Sequence, residues 1–308
     1  MLRRILLASA GAIALSGAAL AAEPLPPPPP PPPPPMWTGF YLGVNAGATW
    51  SSSNSVDTSA IPSSCNPVFP GCDLAPPFSV TSAALANFSA GPNNGAFIGG
   101  GQIGYNYQFG PSFVASFETD IQGVAGSTNG AAFSGTLSNP NFPIEHLLET
   151  AAVTRRVDYL GTVRGRLGWL VTPTFLIYGT GGLAYGGVSA STSITQFHEN
   201  DDDGISPNPY FSSGSFKDTR VGWTAGGGVE WMFLPNWSFK VEYLYYDLGS
   251  VSFQLSPLLS FGGPASDAPG ALFTSAFVHS TTRFDGNIVR AGLNYHFNWA
   301  PAPVVAKY

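Results

Sequence analysis

The sequence predicts an all-β fold, an eight-stranded antiparallel up-and-down transmembrane β-barrel, and three observations support this prediction. Only 10% of the 308 residues are charged, whereas 13% are aromatic and 37 are glycine. An ordinary soluble domain has about 25% charged residues, so this chain has too few charges for a wholly water-exposed surface. Short runs of alternating polar and apolar residues recur along the chain, as in strands with one lipid-facing side. The connections between these runs are short and long in strict alternation.

Composition also argues against two other classes of protein. Glycine costs about 1 kcal/mol per position in a helix interior, so this glycine content argues against a helical bundle. The net charge of −6 provides no basic surface for phosphate backbones, so nucleic-acid binding is not expected. The glycines lie inside alternating runs, where they relieve crowding, and we expect no nucleotide and no other cofactor.

Residues 1–21 have the pattern of a signal peptide for export. Arg3 and Arg4 precede an apolar run, and the alanines around Ala21 form a cleavage site of the A-x-A type. A membrane anchor is the alternative interpretation, but the alanine, glycine and serine content of the run favours cleavage. Residues 22–36 then form a periplasmic tether whose ten consecutive prolines favour an extended rod. We expect the tether to be a spacer, with a ligand for a partner as the alternative.

Eight patterned runs follow, and together they predict a barrel over residues 37–299. Successive side chains of a strand point to opposite faces, so a lipid-facing strand alternates apolar and polar residues. In the sixth run Trp223 and Trp231 share one face, whereas Glu230 lies on the other. The predicted strands span residues 37–50, 95–109, 113–124, 158–170, 174–187, 220–233, 237–247 and 287–297.

The connections predict the orientation of the barrel. Three of them are tight turns that contain Pro111, Pro173 and Pro235. In outer-membrane barrels such turns face the periplasm, whereas long loops face outward. Both termini are therefore expected in the periplasm, including a C-terminal tail. The four long connections span residues 51–94, 125–157, 188–219 and 249–286, and the tail spans residues 300–308.

Aromatic residues concentrate at the strand ends, which favours a membrane barrel over a soluble sandwich. A looser girdle is predicted at the far ends of the strands, marked by Trp50, Tyr159, Tyr185 and Tyr245. The clearer girdle lies next to the short turns and comprises Trp37, Phe109, Phe113, Trp169, Phe175, Phe233, Trp237 and Phe297.

The motifs resemble those of a known family, the small outer-membrane β-barrel proteins of Gram-negative bacteria called porin-family or outer membrane immunogenic proteins. The resemblance covers residues 37–299 and implies an eight-stranded barrel in the outer membrane. It also implies recognition of the last strand by the barrel-insertion machinery, but little shared biochemistry. The prolines of the tether and the tail beyond Phe297 depart from the family pattern. The matching motifs are WTGFYLG at 37–43, GGGQIGYN at 99–106, GTVRGRLG at 161–168, KVEYLYYDLG at 240–249 and VRAGLNY at 289–295.

Strand parity places a balanced set of charges inside the barrel. The lumen of an eight-stranded barrel is just wide enough for side chains to fill, so these charges are expected to form hydrogen-bonded pairs. We interpret the set as a polar plug; a gated narrow pore or a proton path is the alternative. The set comprises Glu118, Asp120, Asp158, Glu230, Glu242, Arg164, Arg166, Arg220, Lys240 and Arg290.

The long loops are expected to be acidic, because their acidic residues outnumber their bases Arg155, Arg156, Lys217 and Arg283. Three consecutive acids, residues 201–203, suggest a cation site, but their spacing does not fit an EF-hand and favours a solvated turn. Cys65 and Cys72 are the only cysteines of an exported chain and are predicted to form a disulfide. A zinc site at these cysteines would need two more ligands, and no metal is expected.

These observations favour a non-enzymatic outer-membrane barrel with a structural and surface-antigen role, which displays acidic loops and contacts outer-membrane lipid and lipopolysaccharide. A narrow-pore diffusion channel is the second interpretation. A lipid-modifying enzyme is the third, with His279 and Ser280 as its candidate residues. Adjacent residues of a strand point to opposite faces, which argues against that pair.

Overall fold

The computed structural model describes residues 36–63, 76–92, 95–126, 129–140, 142–200, 204–205, 208–261 and 272–297. The predicted signal peptide, the tether up to Pro35, the C-terminal tail and the cysteine pair lie outside these ranges. The described part of the chain forms thirteen strands and one helix. The elements are β1 (Gly39–Trp50), β2 (Val56–Pro62), α1 (Pro76–Leu85), β3 (Phe88–Ala90), β4 (Gly95–Phe109), β5 (Phe113–Ala125), β6 (Asn129–Asn139), β7 (Phe142–Thr172), β8 (Phe175–Asn200), β9 (Gly204–Ile205), β10 (Tyr210–Leu234), β11 (Trp237–Gln254), β12 (Leu258–Phe261) and β13 (Leu272–Phe297).

Eight of these strands close into a ring, which confirms the predicted barrel. Their order is β1-β4-β5-β7-β8-β10-β11-β13, and β13 pairs with β1 to complete the circle. Every pairing is antiparallel, and the closing pair runs from Phe40 opposite Phe297 to Trp50 opposite Asn287. Closure matters because a spanning sheet cannot leave an unpaired edge in lipid. No helix in the described part of the chain has the length and apolarity needed to cross a membrane.

The predicted strands begin and end within two residues of the observed ones at the short turns, but five of the eight are too short at the opposite end. We call the end of the barrel with the short turns the turn end and the opposite end the mouth end. Towards the mouth end, β7, β8, β10, β11 and β13 continue far into stretches expected to be loops. The reason is local: in β8, Val188, Ala190 and Ile194 alternate with serines and threonines, a period-two pattern that suits a sheet.

Shorter elements complete the wall above the membrane-spanning ring. β2 pairs with β13 beyond the point where β1 ends, and β3 pairs with β2. β6 pairs with β7 beyond the point where β5 ends. α1 contacts β2, β6, β7 and β13. The expected long loops are therefore largely an extended barrel wall with a helix at its mouth.

The lipid-facing surface carries large apolar side chains, as predicted. Phe109, Phe113, Trp169 and Trp237 of the turn-end girdle are exposed on the outside of the barrel. Trp37 is the exception, because only 1% of it is exposed. It precedes β1 and packs inside the barrel, so its assignment to the interfacial girdle was wrong.

Candidate functional site

The barrel interior brings eight of the ten predicted charges into one cluster. Cross-strand register explains why: Glu118 lies directly opposite Arg164, Glu230 opposite Lys240, and Glu242 opposite Arg290. All eight side chains are fully or almost fully buried. We call this group the charge cluster, and its members are Glu118, Asp120, Arg164, Arg166, Glu230, Lys240, Glu242 and Arg290.

Arg164 lies at the centre of the charge cluster. Its guanidinium donates hydrogen bonds to Glu242 Oε1 at 2.9 Å, to Asp120 Oδ2 at 3.0 Å and to Glu118. Arg290 donates to the same Asp120 oxygen at 2.7 Å and to Glu242 Oε2 at 2.7 Å. These two arginines therefore join three carboxylates from two strands, β5 and β11, into one network.

A second part of the charge cluster lies towards the turn end. Arg166 donates to Glu230 Oε2 at 2.6 Å and to Glu118 Oε2 at 3.1 Å. Lys240 Nζ donates to both oxygens of Glu118, at 2.8 and 2.9 Å. Tyr41 donates to Glu118 Oε2 at 2.6 Å. The cluster thus contains equal numbers of acids and bases, and each carboxylate contacts at least one base.

Asp158 does not belong to the charge cluster, contrary to the prediction. The pairing of β7 with β8 skips a residue between Val157 and Tyr159, so Asp158 sits at a bulge. Its carboxylate pairs with Arg156 at 2.5 Å, and a quarter of its side chain is exposed. A bulge reverses parity along the strand. Arg155, expected in a loop, consequently points inward and donates to the carbonyl of Arg283 at 2.7 Å.

Arg220 also lies outside the charge cluster. It is half-buried on β10, near the mouth end of the spanning ring, and its guanidinium reaches the carbonyl of Ser250 at 3.4 Å. No acid of the described residues pairs with it within salt-bridge distance. The pairing of β10 with β11 begins only at Trp223, so Arg220 lies beyond the paired part of these two strands.

An apolar layer closes the lumen at the turn end. Trp37 packs there with Leu170, Leu176 and Met232, all of which are buried. Its indole Nε1 donates to the carbonyl of Pro173 at 2.9 Å, which ties the ring to a short turn. Trp37 therefore covers the charge cluster from this side.

A second apolar layer lies on the mouth side of the charge cluster. The inward residues of the extended strands there include Val153, Val188, Ile194, Val278 and Phe284, and all are buried. α1 adds Phe78 and Leu85 to the same core. The charge cluster therefore lies between two layers that are rich in buried apolar side chains.

One group at the turn end contains the residue types of a hydrolase. Ser238 donates to Glu230 Oε1 at 2.6 Å and lies 2.8 Å from His296 Nε2. The same Nε2 also lies 3.5 Å from Glu230 Oε1. A catalytic triad instead uses the two ring nitrogens of histidine for different partners. All three residues are buried, so this group joins strands and does not present a nucleophile.

The other predicted candidates are not brought into a site. His279 is exposed, whereas Ser280 is fully buried and bonds to Thr58 and Thr192. Residues 201–203 and both cysteines lie outside the described residues. Within the described part of the chain, no group of three or more His, Cys, Asp or Glu residues could hold a metal ion.

Several interior residues were missed by sequence reasoning. Tyr41 and Tyr178 both contact Arg166, whose guanidinium lies 3.8 Å from the Tyr178 ring centroid. Gln102 donates to Asn294 Oδ1 at 2.6 Å. The parity of β1 could have indicated Tyr41, because it shares a face with Asn45 and Thr49. The predicted interior set contained only charged residues.

Comparison with known proteins gives matches over nearly the whole chain. A profile described as "Outer membrane protein beta-barrel domain" matches residues 7–297. The 31 kDa outer-membrane immunogenic protein of Brucella melitensis is 30% identical over 303 residues, which cover 96% of this chain and 100% of that protein. A 22 kDa outer membrane protein of Rhizobium leguminosarum is 29% identical over 158 residues, 51% of this chain and 56% of that protein. The crystal structure of OprG from Pseudomonas aeruginosa is 11% identical, with a TM-score of 0.37, and the match covers 84% of this chain and 96% of that one.

Proposed function

Since the chain belongs to the family of outer membrane protein β-barrel domains, we propose that it is a non-conducting structural barrel that displays its mouth end as a surface antigen. The observation that carries the proposal is the filled lumen. A charge cluster with equal numbers of acids and bases offers no field for selecting ions of one sign. On both sides of it, buried apolar side chains interrupt the polar groups of the lumen, which argues against a continuous column of water.

The proposed orientation places both termini in the periplasm and the mouth end outside the cell. The turn end supports this arrangement, because it combines the short turns with the clearer aromatic girdle. Many outward side chains on the mouth side of the looser girdle, such as Ser193, Ser215 and Thr154, are polar. A polar outer wall at this height suits contact with the sugars of lipopolysaccharide, which we propose as a partner. We propose that the barrel-insertion machinery recognises the last strand, β13.

We also propose that the mouth end displays acidic side chains. Asp57 and Asp218 are exposed on the extended wall, and Glu145 is half-buried at the end of β7. Glu149 does not contribute, because it is buried inside the wall. The acidic character would therefore come from fewer residues than the sequence alone suggests.

We propose no enzymatic activity for this barrel. The group of Ser238, His296 and Glu230 is enclosed, and its histidine uses one nitrogen for both partners. A narrow pore stays the second candidate function. It would require the charge cluster to be hydrated and Trp37 to leave the lumen.

The orientation is tested by epitope insertion at two hairpins. An epitope placed after Pro140, at the tip between β6 and β7, is expected to bind antibody on intact cells. The same epitope placed at Pro111, in the turn between β4 and β5, is expected to bind only after the outer membrane is permeabilised. Each inserted protein is first checked for the gel mobility of a folded barrel. Antibody binding at Pro111 on sealed cells would reverse the proposed orientation.

A further inference from the structure

The helix α1 closes the mouth end of the barrel. Phe78 and Ser82 face the interior and are buried, whereas Val80 and Ala84 are exposed to solvent. The aromatic ring of Phe78 contacts those of His198 and Tyr210 on the wall, with centroids 5.7 and 5.5 Å apart. α1 thus has one outer face and one face in the apolar core, as a lid does.

A glutamine fixes this lid to the wall. Gln196 Nε2 donates to the carbonyl of Ser82 at 2.9 Å, and Gln196 Oε1 accepts from the Ser82 hydroxyl at 2.6 Å. The second hydrogen of the same Nε2 is donated to Glu149 Oε2 at 2.7 Å. Glu149 therefore sets the direction of the amide that holds α1.

Glu149 is an unusual residue for this position. Only 1% of it is exposed, and its other oxygen, Oε1, has no hydrogen-bond partner among the described residues. It lies ten residues beyond Tyr159 along β7, outside the spanning ring. Burial raises the pKa of Glu149 to about 7, and the hydrogen bond from Gln196 offsets only part of this rise.

Among the residues that the structure describes, no base compensates for an ionised Glu149. Directly opposite it are Gly135 on β6 and Gln196 on β8, and the next residue in the same row is Tyr210 on β10. α1 has no titratable side chain within its range. The other titratable groups that the structure describes on the inner face of this part of the wall are Glu145 and Arg155 on β7 and His198 on β8. The Arg155 guanidinium is engaged by Phe284 and by the carbonyl of Arg283.

We propose that protonated Glu149 latches α1 in the mouth of the barrel and that its ionisation releases the helix. A neutral carboxyl can stay in the apolar core, whereas an unpaired carboxylate there must draw in water or leave. Gln196 joins Glu149 to α1, so water drawn to the carboxylate competes with the hydrogen bonds that hold the helix. This inference adds a regulated lid to the proposed structural role and does not depend on whether the lumen conducts.

The direction of the pH effect follows from linkage. The closed lid binds the proton more tightly than the open one, because a solvated glutamate has a pKa near the ordinary value of 4.5. Raising the pH above that value therefore begins to penalise the closed state. The penalty grows between about pH 4.5 and about pH 7 and is complete above that range. The lid is closed in acid and opens as the pH rises through neutrality.

Hydrogen–deuterium exchange of the full chain in detergent micelles tests the latch. Amide protection of α1 is expected to fall about tenfold between about pH 6 and about pH 8 in the wild type. Protection factors are compared because exchange itself accelerates with pH. In Glu149→Gln, which has no group to ionise, protection of α1 is expected to be equal at the two pH values.

Two matched variants separate this latch from other titrations. Glu145→Gln removes another carboxylate of β7, and His198→Gln removes the imidazole beside Phe78; both are expected to keep the wild-type pH response. Gln196→Leu removes the amide and is expected to expose α1 at both pH values, which keeps the test decisive if Glu149→Gln fails to fold. The proposal is overturned if wild-type protection is constant, or if His198→Gln abolishes the response.

Discussion

Replacing Arg164 with alanine is expected to lower the free energy of unfolding by about 3–5 kcal/mol, because it leaves buried carboxylates without their shared partner. Arg164 contacts Glu118, Asp120 and Glu242, and none of the four side chains has solvent access. The remaining charge cluster would carry one more acid than base in a confined space. The loss is measured by urea unfolding in detergent micelles, followed by tryptophan fluorescence.

The matched control for this substitution is Arg156→Ala. Arg156 also pairs with an acid, Asp158, but half of its side chain is exposed. Exposed ion pairs contribute about 0–1 kcal/mol, so this variant should unfold nearly as the wild type does. The double variant Arg164→Ala, Glu118→Gln restores charge balance and is expected to recover about 1 kcal/mol or more. Equal losses in Arg164→Ala and Arg156→Ala would contradict the described charge cluster.

Replacing Gly43 with alanine is expected to destabilise the barrel by about 2–4 kcal/mol, although only one methyl group is added. Gly43 lies between Gln102 and Asn294 in a three-strand row, and these two side chains bond to each other across it. A Cβ at this position would lie 2.1 Å from Asn294 Oδ1 and 2.6 Å from the carbonyl of Leu293. The new methyl group would therefore separate a buried hydrogen bond and push on the backbone.

Gly165→Ala is the control for the added methyl group. Gly165 lies on the outer face of β7, and a Cβ there would have no neighbour within 4 Å. The free energy of unfolding of Gly165→Ala is expected to match that of the wild type. Comparable destabilisation of both variants in the same urea titration would mean that crowding at the interior is not the cause.

The sequence predicted the ring of strands because two strong local rules coincide. Proline-containing turns at Pro111, Pro173 and Pro235 mark one end of the strands. Alternation of large apolar and charged residues then gives the face of each side chain, and it placed residues such as Glu118, Arg164 and Glu242 correctly inside. Cross-strand partners share a face, so parity alone was enough to bring most of the charge cluster together.

The same rules failed where polar residues continue a strand and where a local change in the backbone alters the face on which a side chain lies. The run of serines and threonines in β8 suggested a loop, yet Ser189, Ser191 and Ser193 lie on the outer face of a continuing strand. The bulge at Asp158 reverses parity within β7, and no residue type marks it in advance. Trp37 is of a residue type that is common in aromatic girdles, but it precedes β1, and its side chain points into the lumen. These outcomes depend on tertiary contacts that a local pattern does not contain.

The role of α1 could not be predicted from its sequence either. Pro76 and Pro77 begin the helix, and its apolar and small residues do not form a clear amphipathic stripe. Its position is explained by contacts distant in sequence, above all those of Ser82 with Gln196 and Ser275. The importance of Glu149 likewise emerges only when the extended wall is known.

Single-channel conductance of the refolded wild-type protein in a planar lipid bilayer tests the central claim most directly. The claim is that the charge cluster, with apolar layers on both sides, fills the lumen. The expected result is no stable openings above the noise of the lipid alone, with the folded state of the same preparation checked by its gel mobility. Stable openings whose ion selectivity changes in Glu118→Gln would contradict the claim, because they would show that the interior charges line a conducting path.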